Sequence, residues 1–420
     1  MSWSRRWWLT LGLLAALRAA APAVVLAAEG RDLPGFPRFD LVADTGDDAG
    51  YYAAAREFMA AVGRVPLPLL AGMGLTVAVA AVAAVRLWPR RSWRPWVVVA
   101  LALLASLVVS VVILEMGSSG APVFGWSLLW AVPLLPYRAL GLPLDYEIAF
   151  AFAFPLSLAA NAVTLVATAY AGFYATGRRA VGVAAAAALA VWPLVSALVA
   201  GTSAWENGTW FVDTGLALYT EPLSTALVAS ALALLLRPER TDVHVALAGV
   251  LLSYATFVKL SNAVVGILVA LAVVAFLGLR RVLPLAAGGL SFAPAVAAFW
   301  PLGYLDEQTG RYFRSQDAFS VDYVGSTWTD SLLFSPRTLA VLLPLAVVGA
   351  LALRRGFALA LLLGVTLVNP IFYSFYWWTW EHPRFLFASL PAFFVLWAAG
   401  LVTVVDRLSR REPVPAATRG

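Results

Sequence analysis

The chain has 420 residues, 62% of them hydrophobic and 12% charged, with a mean hydropathy of +0.83. Soluble domains carry about twice that charged fraction, so soluble enzymes, nucleic-acid-binding domains and disordered chains are excluded, and the net charge of +6 needs a membrane explanation. With no cysteine and only two histidines, His244 and His382, disulfides, zinc–thiolate sites, iron–sulfur clusters and thiol nucleophiles are excluded too.

Basic clusters recur at every second break between apolar runs. They are Arg5-Arg6, then Arg86 with Arg90, Arg91 and Arg94, then Arg178-Arg179, then Arg237 with Arg240. Arg280-Arg281, Arg354-Arg355 and Arg407 with Arg410 and Arg411 continue the series. The intervening breaks hold most of the acids: Asp40 to Asp48, Glu206 to Glu221, Asp306 to Asp330, and Glu381. Because basic loops stay cytoplasmic, the alternation predicts an all-α membrane protein with about twelve transmembrane helices and both termini inside. The predicted spans are 7–28, 66–86, 95–115, 148–176, 180–200, 220–236, 243–259, 262–279, 283–301, 338–353, 357–374 and 385–404. One polytopic unit is expected over 1–405, with a short cytoplasmic tail at 406–420 and no soluble domain after Leu408. The first run also fits a cleaved signal peptide ending near Ala27-Ala28, although Arg18 interrupts its apolar stretch.

Four outer segments are long, 29–65, 117–147, 201–220 and 302–337, whereas the inner loops are short and basic. Long loops on one side tend to carry function. In the first, Tyr51, Tyr52, Ala55, Phe58, Met59 and Val62 recur at helical spacing with Arg56 and Glu57 on another face, which predicts an amphipathic helix at the outer interface. Val123 to Leu144, rich in Trp, Leu and Pro, reads as a second interfacial element.

Just before the first of these helices stands Asp44-Thr45-Gly46-Asp47-Asp48. Two readings of the paired acids stand together: one caps the helix and meets its dipole, and one accepts a proton from a substrate hydroxyl. Further along, Tyr219-Thr220-Glu221-Pro222-Leu223-Ser224 opens a span, Ala255-Thr256-Phe257-Val258-Lys259 closes one, and His382-Pro383-Arg384-Phe385-Leu386 leads into Leu390-Pro391-Ala392. This ordered set resembles the GT-C superfamily, polytopic glycosyltransferases that use polyprenyl-phosphate-linked sugars, among them protein mannosyltransferases and lipid A aminoarabinose transferases. Those families place an Asp-Asp or Asp-Glu pair in the first outer loop, before an aromatic-containing helix.

The resemblance implies an inverting sugar transfer from a polyprenyl-phosphate donor to a lipid, glycan or protein acceptor, at the outward face of a bacterial plasma membrane. It makes Asp47 the general base, with Asp48 second, and it assigns Lys259 and Arg384 to the leaving phosphate, whose charge grows as the bond breaks. Glu221, His382, Arg311, Arg314 and Tyr51 are the further substrate-binding candidates.

Each has a plainer reading. Lys259 snorkels to the headgroups, although it is the only lysine among 29 basic residues. Arg384 pairs with Glu381, and Glu221 with Pro222 is helix-start chemistry. Arg311 and Arg314 sit on a solvated loop face. Tyr373, Tyr376, Trp377, Trp378 and Trp380 form an interfacial aromatic belt. Asp44, Asp47, Asp48 and Glu221 are donors suited to Mg or Mn, but the two cations serve the phosphate without a metal, so metal-independent chemistry is expected. Two other functions compete. An O-antigen ligase or polymerase lacks the early Asp pair, and a secondary transporter carries ionisable groups on broken helices near mid-membrane.

Overall fold

A computed structural model describes residues 5–28, 47–116, 124–200, 220–299, 319–326, 334–353, 356–376 and 385–409. Among these the chain is helical, with no strand beyond an isolated bridge between Phe319 and Tyr376. In chain order the helices are α1 (Arg5–Ala28), α2 (Asp47–Arg64), α3 (Leu67–Leu87), α4 (Arg94–Leu114), α5 (Phe124–Ala139) and α6 (Tyr146–Thr176). There follow α7 (Arg179–Ala200), α8 (Glu221–Leu236), α9 (Asp242–Val258), α10 (Asn262–Leu277), α11 (Leu279–Gly289) and α12 (Ala293–Ala297). The last are α13 (Tyr323–Ser326), α14 (Phe334–Ala352), α15 (Phe357–Tyr373) and α16 (Leu390–Ser409), the last entered through a 3₁₀ turn at Phe387–Ser389.

Four helical stretches among the described residues are long and apolar enough to cross a bilayer: Leu67–Leu87, Arg94–Leu114, Ala151–Thr176 and Phe387–Ser409. Several shorter apolar helices accompany them, α8, α9, α10 and α15 included. Burial separates the two kinds. Helix α3 has no buried residue, and Leu67, Leu75 and Val85 stand 78%, 68% and 74% exposed. A surface that apolar is stable only where the solvent is lipid, so the chain is an all-helical membrane protein. Helix α8 is the opposite case. Apolar all round, it is enclosed by its neighbours, and Val228, Ala231, Leu232 and Leu235 are essentially inaccessible.

Local chemistry sets the helix ends. Asp145 accepts a hydrogen bond from Ile148 N at 2.9 Å to cap α6, which stops at Gly177 with φ +72°. Thr241 and His244 form a reciprocal capping box at the start of α9, with Thr241 N donating to His244 Nδ1 at 2.9 Å.

Where they are described, the predicted spans fall on helical segments, four of them long enough to cross a bilayer, and one is corrected. The run 283–301 is not continuous: it divides into α11 and α12 at Leu290–Phe292. The amides freed by the break find acceptors on neighbouring helices. Phe292 N donates to Ser253 Oγ at 2.9 Å and Ala295 N to Ser106 Oγ at 3.1 Å, which is what permits irregular backbone inside an apolar bundle.

The two helices expected at the interface are also more deeply seated than an interfacial position requires. On α2 the apolar face of Tyr51, Ala55, Phe58 and Met59 is buried, packed against α5. On α5, Trp126 and Trp130 are fully buried. Arg64 Nε then ties the end of α2 to Glu115 O at 2.9 Å, just beyond α4.

Loop contacts sort the helix ends. Arg281 in α11 bonds Asp242 of α9 at 2.5 Å, Arg240 lies over the Phe357 ring at 5.0 Å, and Arg178 pairs with Asp406 at 2.6 Å. Arginine-bearing connections therefore meet one another. The other end of α8 and α9, about 24 Å away for 16 residues at 1.5 Å each, carries Glu221 and Lys259. Helix α5 docks there too: Tyr254 donates to Gly125 O at 2.7 Å, and a Cβ on Gly125 would lie 2.9 Å from Val258 N.

Candidate functional site

The sequence Thr220-Glu221-Pro222 starts α8 with proline in the first turn, where its missing N–H leaves no hydrogen bond unmade. Helix α9 runs out at Val258, and Lys259 adopts an extended backbone (φ −151°, ψ 113°) as its C-cap. These two ends face each other. Lys259 Nζ donates to Glu221 Oε1 at 2.7 Å, with the side chains only 17% and 5% exposed respectively. The other carboxylate oxygen, Oε2, accepts from Thr220 Oγ1 at 3.2 Å.

The loop after Lys259 is stitched in by hydrogen bonds. Asn262 Nδ2 donates to Ser224 Oγ at 2.6 Å and to Ala255 O at 2.9 Å, so the first residue of α10 bridges α8 and α9. Tyr373 at the end of α15 donates to Ser261 Oγ at 2.7 Å. Over the ammonium lies Phe385, its ring centroid 4.4 Å from Lys259 Nζ, and Phe385 in turn stacks on Tyr373 at 4.5 Å and 11°. Lys259 thus meets a carboxylate on one side and a π face on another, both favourable to a cation. The snorkelling reading of Lys259 does not describe this geometry. The helix-start reading of Glu221 holds and coexists with the ion pair.

Behind Glu221 lies a second polar group. Arg18 is 3% exposed; its Nε donates to Asn161 Oδ1 at 2.9 Å and its Nη1 to Leu189 O at 2.7 Å. Arg18, Asn161, Thr164, Glu221, Thr225 and Phe387 line a common cavity of about 10 Å³, at the lower limit of what one water occupies. Sequence reasoning treated Arg18 only as an interruption of an apolar run. The missed signal is double: an arginine within a span is functional or partnered by default, and Ser157, Asn161, Thr164 and Thr168, all buried, make a polar stripe along α6. Through Trp7, Leu11 and Arg18, all buried, α1 is packed into the bundle against α6 and α7.

The remaining candidates divide by position. Asp47 and Asp48 are the first two residues of α2, one and two places past the N-cap position, where an acid meets the helix dipole, and their side chains lie outside the described residues. Tyr51, one turn on, is buried at 4% exposure within the apolar face of α2. Arg311, Arg314, His382 and Arg384 lie outside the described residues, as do Asp44, Trp377, Trp378, Trp380 and Glu381.

Of the oxygen donors considered for Mg or Mn, Glu221 is the one whose side chain is described, and its two oxygens are engaged by Lys259 and Thr220. Among the described residues no three His, Asp or Glu side chains converge. Comparison with protein-family models and with curated proteins finds no match to this chain.

Proposed function

We propose that this chain is a membrane glycosyltransferase that moves a sugar from a polyprenyl-phosphate-linked donor to a lipid, glycan or protein acceptor. The site faces outward in a bacterial plasma membrane, in a bundle of about twelve crossings. The observation that carries the reading is the half-enclosed Lys259–Glu221 pair under Phe385, at the end of the bundle where α5 docks with α2 packed against it. Helix α2 is the one opened by Asp47 and Asp48.

In this reading Asp47 accepts the proton of the acceptor hydroxyl, whose oxygen bonds to the anomeric carbon from the face opposite the phosphate. The bond from that carbon to the phosphate oxygen breaks, its electron pair leaves with the phosphate, and the sugar inverts. Lys259 meets the charge gained by the phosphate, joined by Arg384. Glu221 keeps the ammonium aimed between turnovers. A preorganised cation of this kind contributes about 10²–10³ in rate, and a positioned base about 10²–10⁴.

The test is release of free polyprenyl phosphate by the purified protein from a panel of synthetic polyprenyl-phosphate sugars, with an acceptor extract present. Release by the wild type, reduced at least about 10²-fold in Asp47→Asn, is the expected outcome. Equal rates for both proteins would remove Asp47 from its role.

Arg18 favours a second reading, because a buried arginine within the bundle is also what a transporter carries. Silence across the whole panel with acceptor present would turn the assignment toward transport.

A further inference from the structure

A second cleft bordered by charged side chains lies away from the Lys259 pair, between α2 and the end of α5. Its volume is about 450 Å³, and its lining includes Arg56, Glu57 and Met59 of α2, Arg138 of α5, and Leu144. That is the size range of small-ligand sites.

Its charge is unbalanced. Arg56 lies over the Tyr52 ring at 5.7 Å, and neither Arg56 nor Arg138 has a carboxylate partner among the described residues. Glu57 in the lining and Asp145, next in sequence to the lining residue Leu144, are both engaged. Glu57 is held by Arg64 at 2.5 Å, and Asp145 caps α6 through Ile148 N at 2.9 Å. Among the described residues two guanidinium forks remain without a carboxylate, and the planar fork matches phosphate oxygens bidentately.

The surroundings are apolar. Leu140 and Leu142, just after Arg138, are 75% and 43% exposed, and in a membrane protein such side chains face acyl chains. The cleft is also braced, since Tyr52 donates to Leu144 O at 3.3 Å across it. Burial raises the Tyr52 pKa above its ordinary value, against the lowering effect of Arg56 and with a further rise from Asp145, so the phenol keeps the proton it donates.

We propose that this cleft binds the phosphate of an anionic lipid headgroup between Arg56 and Arg138, with the exposed leucines of the α5–α6 connection alongside the acyl chains. The inference stands apart from the glycosyl-transfer reading, which uses neither arginine.

Native mass spectrometry of the full chain in detergent tests it, with phosphatidylglycerol, with phosphatidylcholine, and with phosphatidylglycerol plus millimolar inorganic phosphate. The expected result is preferential binding of phosphatidylglycerol, weakened about tenfold or more in Arg56→Gln/Arg138→Gln, as two charge-assisted contacts are lost. Arg56→Lys/Arg138→Lys, which keeps the charge and loses the fork, should bind at a level between the two, and it keeps the test readable should the glutamine variant fold poorly. Equal binding by wild type and glutamine variant, or no preference for the anionic lipid, would overturn the proposal. Displacement by inorganic phosphate would support phosphate recognition by the two forks and overturn the lipid as its source. Retention against phosphate would establish the lipid.

Discussion

Lys259→Ala is expected to remove turnover, and Glu221→Ala to lower stability by about 3–5 kcal/mol. The two effects have one origin. The side chain of Glu221 is 5% exposed and that of Lys259 17%, so each group has lost most of its water and faces the other instead. Truncating one partner leaves the second desolvated and without the opposite charge it now faces. Removing both charges together in Glu221→Leu/Lys259→Met should instead come within about 1–2 kcal/mol of wild type, since apolar replacements of similar volume repack such pairs. Thermal unfolding of the four proteins in detergent measures the coupling. A double variant as unstable as the sum of the singles would mean that the side chains stabilise separate regions. Turnover should be absent from the double variant even where stability returns, which separates the chemical role from the structural one.

The second large effect concerns a helix crossing. Gly349 of α14 and Gly400 of α16 bring two backbones together so closely that a Cβ on Gly349 would collide with Leu396 O, and one on Gly400 with Leu345 O. Without a hydrophobic drive between helices in lipid, close van der Waals approach at small residues is what joins them. Gly400→Val is expected to cost about 3 kcal/mol or more, because both clashing groups are main-chain atoms that cannot rotate away. Gly72→Val on α3, where nothing lies within 4 Å, is the control and should change stability by less than about 1 kcal/mol. Monodispersity and unfolding midpoint in detergent read out both. A Gly400→Val protein as stable as the control would show that the crossing can part without loss.

The contrast between these two predictions marks where sequence reasoning reached. Helix positions were legible throughout, because an apolar run bounded by arginines or by Pro and Gly has few alternatives in a membrane. The break at Leu290–Phe292 was not, since its freed amides are accepted by Ser253 and Ser106 from other helices. Alternating loop charge was enough to assign Glu221 and Lys259 to the same end of the chain's helices. It carried no information on which ends are neighbours. That follows from lateral packing of α8 on α9 and from the bridge Asn262 makes between them.

Arg18 shows the same limit from the other side. Its oddity within an apolar run was visible in one dimension, while its partners, Asn161 and the Leu189 carbonyl, lie 143 and 171 residues away. The glycine pairs are silent in sequence for a like reason: a glycine reports a close approach only when its opposite number is known.

The sequence by itself determined that this is an all-helical membrane protein, where its helices lie and which residues were worth suspecting, because hydropathy and charge act locally along the chain. Only the tertiary structure decided that Lys259 is paired with Glu221, that Arg18 shares a cavity with that carboxylate, and that Arg56 and Arg138 border one cleft. Those are contacts between helices, set by which small, polar and aromatic side chains interlock across the bundle.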